Sequence, residues 1–405
     1  MSRPRALVIG GSVGGLFAAG LLRAAGWDVA VFERSLENLA GRGAGIGTRH
    51  ELFAVMRRIG IAPDPSIGVK VKARICLDRS GAVVATREIP AVNSAWDRIY
   101  RPLKDALPQP CYRAGMRLER MEQQGARIAA VFADGTREDG DLLVGADGLA
   151  STVRRLVMPE AQPRYAGYVS WRGVLEEGDL PLAIHRELFE HFTFDLPAGE
   201  LIICLPMPGR DADTRPGRGR FHWGWFRPCA YEDELPALCT DETGHCHGVT
   251  IPPPLIRPAV IAELKSHAAE VLAPQIATIV ARTAQPLLQP IYDLAVPRMV
   301  EGRVALLGDA AFVARPHAAT GVTKAACDAE VLVDALAGGI DAGLARYDRA
   351  RTAFGTALVA LGRELGSYLE AAARLRGPPP AQQPDIVLRD YGAGGSLIDA
   401  LFAGS

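Results

Sequence analysis

Four stretches of the chain combine residue types and spacings that could do chemistry. The first is Gly10-Gly-Ser-Val-Gly-Gly15, which follows the apolar run Arg5-Ala-Leu-Val-Ile9 and precedes an acid, Glu33, placed 18 residues after Gly15. Gly10 permits a tight turn, and Gly15 lets the next helix lie close to the strand. That helix's N-terminus offers unpaired N–H groups and a positive dipole end to a pyrophosphate. Glu33, near the spacing of about 20 residues that dinucleotide folds use, would accept hydrogen bonds from ribose hydroxyls. The middle glycine of the strict G-x-G-x-x-G pattern is Ser12, a small residue able to donate to phosphate.

Two later stretches repeat the strand-to-turn logic. Asp141-Leu-Leu-Val-Gly-Ala-Asp147-Gly is a buried strand breaking into an Asp-Gly turn, and Gly302-Arg-Val-Ala-Leu-Leu-Gly308-Asp309 does the same. Pro316-His-Ala-Ala-Thr-Gly321 then opens a helix from Val322 to about Leu336. Each joint alone also suits an ordinary α/β protein. Three in order along some 300 residues point to one long nucleotide ligand threaded through the chain. The fourth set is the eight histidines, any of which could serve as a base near neutral pH.

The elements that must position these groups follow from pattern. Arg5 to Ile9 reads as a strand, Leu16 to Ala25 as a helix ending at Gly26, and Val29 to Phe32 as a second strand. A secretory leader is the competing reading of this N-terminus, but five glycines between Ala6 and Leu22 suit a turn better than an apolar helix. Leu188 to Leu196, Leu201 to Leu205 and Phe221 to Phe226 read as antiparallel strands. Phe221, Trp223 and Trp225 fall on one face of the last, as the wall of an aromatic pocket or as sheet core. Val260 to Arg282 and Gly343 to Arg376 read as helical, and Gly377-Pro-Pro-Pro breaks the chain before a short tail.

The order of the Gly10–Gly15 turn with Glu33-Arg34, then Gly-Ala-Asp147-Gly, then Gly308-Asp309-Ala-Ala with Pro316, resembles the single-component FAD-dependent aromatic hydroxylases of the p-hydroxybenzoate hydroxylase type. The likeness spans about residues 5–350. Within that family, Ser12, Tyr165-Ala-Gly-Tyr-Val-Ser-Trp-Arg-Gly-Val174 and Arg315-Pro-His-Ala-Ala319 look like the hydroxypyridine hydroxylases. The resemblance implies an α/β, Rossmann-like (GR2-type) FAD-binding fold with an inserted antiparallel-sheet substrate domain and C-terminal helices. FAD-binding parts are expected at 1–72, 101–165 and 286–340, substrate-domain parts at 73–100 and 166–285, and a C-terminal helix and tail at 341–405.

By the same resemblance Ser12, Gly14 and Gly15 approach the FAD pyrophosphate, Glu33 holds the adenosine ribose, and Arg34 lies near the adenine half. Arg42 and Tyr100 join the cofactor contacts, and Gly45, Ile46 and Gly47 pass beside the isoalloxazine ring. Asp147 packs where the pyrophosphate enters, and Gly308 with Asp309 meets the ribityl chain or a phosphate-bound water. Pro316, Ala319, Thr320, Gly321 and Val322 bring a helix N-terminus to flavin N1 and O2, where the reduced ring is negative. The family often has Arg where Tyr100 stands, Gln-Pro where Arg49-His50 stands, and Thr or a similar residue at His317.

The implied reaction is hydroxylation of an electron-rich ring, such as 2,6-dihydroxypyridine, by tightly bound FAD, NADH or NADPH, and O2, through a flavin C4a-hydroperoxide. His317 is the expected catalytic contact. Arg49, His50, His191, His222, Trp223 and Trp225 are the expected substrate contacts, with Arg49 suited to a substrate carboxylate. An oxidase, dehydrogenase or epoxidase on the same scaffold, a hydroxylase of a pyridine carboxylate or phenol, and a lipid-reductase-like or escort-like FAD-fold protein are the alternatives.

Composition narrows the partners. With 45 Lys and Arg against 46 Asp and Glu in 405 residues, the chain lacks the basic surplus of a nucleic-acid binder. No run is long and apolar enough for a membrane span. The seven scattered cysteines suit a reducing, cytoplasmic setting. Cys239, His245, Cys246 and His247 lack metal-site spacing, so no metal is expected. Arg210, Arg215, Arg218 and Arg220 form a basic loop, either solvated or facing nicotinamide phosphates. The resemblance also implies a homodimer.

Overall fold

The computed structural model describes residues 3–37, 39, 45–63, 67–89, 91–210, 213–248, 250–374, 377 and 381–404. Its first layer is a six-stranded sheet. The strand Arg5–Ile9 sits centrally, parallel to Asp28–Glu33 on one side and to Leu142–Gly145 on the other. Leu142–Gly145 in turn pairs in parallel with Val304–Leu306. These strands are short and nearly all apolar because both faces are covered, as a parallel sheet requires. The helix Val13–Ala24 packs against the sheet and against the long helix Gly321–Leu336. The three turn motifs therefore converge from distant stretches on the carboxyl ends of adjacent strands, where α/β sheets bind ligands.

The second layer is an eight-stranded, mostly antiparallel sheet in which Arg164–Glu176 pairs with Arg220–Pro228 and Leu287–Ala295. Beyond Arg220–Pro228 lie Leu201–Met207, His191–Asp195, Ala73–Leu77 and Val83–Arg87. The helices Pro258–Val271 and Pro274–Arg282 cover one face of this sheet with a core that includes Trp171, Trp223 and Trp225. The continuous helical pattern expected over 260–282 is broken at Leu272-Ala273, since Pro274 cannot donate a backbone hydrogen bond and begins a new helix instead. Leu188 ends the helix Leu182–Leu188, so the strand expected from Leu188 starts only at His191.

The third body is C-terminal. The helix Ile340–Gly366 is followed by short turns, and the tail forms two further helices, Pro384–Asp390 and Ser396–Ala403. The tail is pinned by a buried cation. Arg74 donates to the carbonyl oxygens of Leu388 (2.9 Å), Ala393 (2.8 Å) and Tyr391. Among the described residues, no helix is long and apolar enough to cross a membrane.

Candidate active site

A cavity of about 1120 Å³ runs between the two sheets, from Glu33 and Arg34 at one end to His222 and Phe226 at the other. Two helices begin at its wall. The helix Val13–Ala24 starts after Ser12, which makes no side-chain cap, so its first-turn N–H groups have no partner within the helix. Gly10, at φ 108°, makes the turn that aims this end, and a Cβ there would strike the Ala146 carbonyl. The second helix, Gly321–Leu336, is likewise uncapped by Thr320 and follows Ala319 in the left-handed conformation at φ 51°. A strained non-glycine residue at that point is the kind of cost folds retain at ligand sites.

Charged groups along the wall complete the cradle. Glu33 is buried, and its two carboxylate oxygens accept from the backbone N–H of Gly11 (2.8 Å) and Ser35 (2.9 Å), which fixes the carboxylate across the first turn. Asp147 accepts from Ser151 and from the Thr152 N–H, holding the Asp-Gly turn against the helix Thr152–Val157. Lys324 is 1% exposed, and its ammonium lies 3.9 Å from Asp309 and 3.8 Å from Asp328 without a hydrogen bond to either. Asp309 stands at the wall with its side chain open to the cavity, facing Lys324. An orphaned buried ammonium and two open helix N-termini fit a ligand carrying phosphates and a polar chain. The residues present therefore fit FAD.

At the other end the cavity forms a slot with a largely apolar wall. The strand Arg220–Pro228 alternates, so His222, Gly224 and Phe226 face the slot while Phe221, Trp223 and Trp225 face the helices behind. Phe192, Ile203, Leu205 and Ile291 add apolar wall. The polar residues of the lining include His222, Arg172 and Gln289. His222 is 4% exposed, and burial together with the charge of Arg172 pushes its imidazole down to about 3.

Most expected cofactor residues line this one cavity: Ser12, Gly14, Glu33, Arg34, Gly45, Ile46, Asp147, Gly308, Asp309, Pro316, Ala319, Thr320, Gly321 and Val322. Gly15 stands behind the wall, where a Cβ would collide with the Gly10 carbonyl oxygen. Tyr100 does not reach the cavity. It is buried in the core, stacked on Trp96, and Trp96, one turn earlier, is the residue at the wall. Arg42 lies outside the described residues.

The expected substrate set is corrected more heavily. His317, the candidate catalytic residue, points away from the cavity. Its Nε2 is 2.8 Å from the Tyr168 hydroxyl, and its ring packs against Phe226 and Tyr391. Gly366 leaves the room for this pair, since a Cβ there would meet both rings. Arg49 is taken by Glu51 (2.8 Å) and Asp399 (2.6 Å) and lies over the Phe402 ring, so it fastens the tail and has no charge to spare for a substrate carboxylate. His50 is 87% exposed beside Glu51, and His191 bonds to the Glu187 carbonyl at 3.0 Å. Trp223 donates to Thr283 at 2.8 Å from the core side, and Trp225 stacks on His267 there. Of the six expected substrate residues only His222 lines the slot. Arg172 and Phe226 were missed. Two-residue alternation could have found Phe226, since it shares His222's face. Elsewhere, His247 pairs with Asp241 at 2.8 Å, and among the described residues no group of three or more candidate ligands could hold a metal.

Comparison with known proteins decides the family. The chain is 33% identical over 334 residues to the 2,6-dihydroxypyridine 3-monooxygenase of Paenarthrobacter nicotinovorans, covering 82% of each chain. It belongs to the FAD-dependent aromatic monooxygenases. A family described as FAD binding domain-like matches residues 165–293, the stretch that carries most of the substrate-side sheet. Among solved structures, this monooxygenase superposes on the 2,6-dihydroxypyridine-3-hydroxylase of Arthrobacter nicotinovorans with a TM-score of 0.85 at 30% identity, over 95% of this chain and 99% of the other. It also matches Klebsiella pneumoniae HpxO complexed with FAD and uric acid, with a TM-score of 0.77 at 25% identity over 98% and 95% of the two chains. The monooxygenase thus uses FAD, a nicotinamide donor and O2.

Proposed function

We propose that this monooxygenase hydroxylates a hydroxypyridine, with 2,6-dihydroxypyridine the first candidate. The observation that carries the reading is the slot at the far end of the cavity, whose wall includes the apolar Phe192, Ile203, Leu205 and Phe226 beside His222 and Arg172. The identity to a 2,6-dihydroxypyridine 3-monooxygenase supports the same substrate class.

When bound, FAD supplies the activated oxygen, and the chain's own residues supply position and environment. The helix Gly321–Leu336 would meet the ring end of the cofactor with unpaired N–H groups, and the helix Val13–Ala24 would meet its pyrophosphate. Ile203, Leu205 and Phe226 exclude water from the reacting ring. His222, pushed down to about 3, stays neutral at working pH. It therefore acts as a hydrogen-bond partner that orients a ring hydroxyl rather than as a store for its proton.

The test is a visible spectrum of the purified protein, followed by NADH and NADPH oxidation in air with a hydroxypyridine panel. Flavin bands, oxidation stimulated by one ring, oxygen uptake matched to nicotinamide consumed and a hydroxylated product are expected. A yellow protein that no ring stimulates would sink the pyridine assignment. We further propose a cytoplasmic homodimer. Seven free cysteines support the reducing compartment, and light scattering on the purified enzyme tests the dimer.

A further inference from the structure

We propose that Arg172 is the anion-holding group of the ring slot, so that the enzyme takes its aromatic substrate with a ring-borne oxygen ionised and discriminates against the same ring with that oxygen alkylated. The inference rests on the hydroxypyridine reading and deepens it.

Position comes first. Arg172 lies in the strand Arg164–Glu176, directly opposite Gly224 in the ladder. Its side chain is enclosed by protein yet keeps accessible surface, and that surface faces the cavity it lines. Gly224 leaves a niche there. A Cβ on Gly224 would have Ile203 at 3.6 Å and both the His222 Nε2 and the Ser170 hydroxyl at 3.8 Å.

Charge comes second. Other buried arginines in the described chain have close protein partners. Arg315 bonds to Asp293 and Glu370, Arg351 to Asp328, and Arg74 and Arg154 each to three backbone carbonyls. Arg172 has only a long contact from Nε to the Ser170 hydroxyl at 3.4 Å, and among the described residues no carboxylate pairs with it. Burial alone pushes its guanidinium down to about 10, still charged at neutral pH. A buried charge without a counter-charge is costly and is retained where a ligand supplies the other half.

The neighbours do not supply it. His222 is neutral, and the charge of Arg172 helps keep it so. Gln289 brings an amide. The site is one negative charge short, and an ionised ring hydroxyl or a ring carboxylate would fill it. An ionised ring oxygen also raises electron density on the ring carbon that must attack an electrophilic oxygen.

The test is ligand binding to the FAD holoenzyme without nicotinamide, read as perturbation of the flavin spectrum. The ligands are 2,6-dihydroxypyridine, neutral 2,6-dimethoxypyridine and 6-hydroxynicotinate, and the variants are Arg172→Gln and Arg172→Lys. Wild type should bind the dihydroxy ring about 10- to 100-fold more tightly than the dimethoxy ring. Arg172→Gln should lose about that factor on the dihydroxy ring and leave the dimethoxy ring unchanged, with Arg172→Lys between. Equal binding of the dihydroxy ring by wild type and Arg172→Gln, or equal loss of both rings at full FAD content, would overturn the proposal. If Arg172→Gln does not fold, wild type and Arg172→Lys decide it, and equal affinities for the two rings in wild type overturn it. Binding of 6-hydroxynicotinate but not the dihydroxy ring would instead fail the hydroxypyridine-diol reading, and Arg172 is then judged by whether Arg172→Gln loses that carboxylate. No perturbation by any ring anion overturns both.

Discussion

His222 and His317 are chemically alike and do different work. Each is 4% exposed, and burial followed by the charge of a nearby arginine pushes each imidazole down to about 3. His317 spends its ring on protein: Tyr168 holds Nε2, and Phe226, Tyr391 and the tail close round it. His222 opens on a slot that protein leaves empty. Their arginines differ in the same way, Arg315 locked by Asp293 and Glu370, Arg172 without a carboxylate. Burial and a displaced pKa therefore do not mark a functional group by themselves. What marks it is whether the partners of the buried polar atom are already present in the chain.

The comparison breaks most visibly at the arginines that protein has satisfied. Replacing Arg74 with Met leaves three tail carbonyls without their donor in a buried setting, and a loss of about 3 kcal/mol or more is expected. The melting temperature measures it. Since the tail loop sets Ala393 against Gly47 and donates the Gly392 N–H to the His317 carbonyl, FAD content should fall as well. Arg172→Gln should cost little or no stability, since no protein carboxylate is left behind. A large loss of melting temperature in Arg172→Gln would place Arg172 with the structural arginines.

The histidines sharpen the contrast at smaller amplitude. His317→Ala opens a void and strands the Tyr168 hydroxyl, for about 2–3 kcal/mol. The protein that remains folded should keep its KM for the ring. His222→Ala should shift stability by less than about 1 kcal/mol and lower kcat/KM by about 10- to 100-fold. Thermal unfolding and steady-state kinetics on the two variants separate these outcomes, and the opposite assignment would restore His317 as the substrate contact.

The uneven legibility of the site has a physical reason. Cofactor residues such as Ser12, Glu33, Asp147 and Asp309 sit in turns whose geometry is local, so spacing along the chain nearly equals placement in space. The substrate wall is assembled across strands. Whether Trp223 or His222 faces the slot depends on which side of the sheet the helices Pro258–Val271 and Pro274–Arg282 cover, a long-range fact with no trace in the strand's own alternation. His317 failed for a similar cause. The Pro316 turn directs its backbone to the cavity, while the tail, some 75 residues later, provides the surface its side chain prefers. Arg172 gave no signal in sequence because what distinguishes it is a shortage of protein partners in the fold, where Arg74 and Arg154 each find three carbonyls.

Acid stability gives the smallest effect and tests what the two histidines share. A histidine whose folded pKa lies below its unfolded value of 6.5 is bound to be neutral in the fold, so the unfolded chain takes up more protons as pH falls. The stability linked to it is fully present above pH 6.5 and is lost progressively as pH drops toward about 3. For His317 the loss between pH 7 and pH 5.5 should be about 1 kcal/mol. His222, held equally low, should contribute the same loss over the same interval. Melting curves at pH 7 and 5.5 should therefore show an acid loss that His222→Gln and His317→Gln each reduce by about 1 kcal/mol. An acid loss indifferent to both substitutions would mean that neither imidazole is held neutral by its surroundings, and the likeness from which the comparison starts would fall.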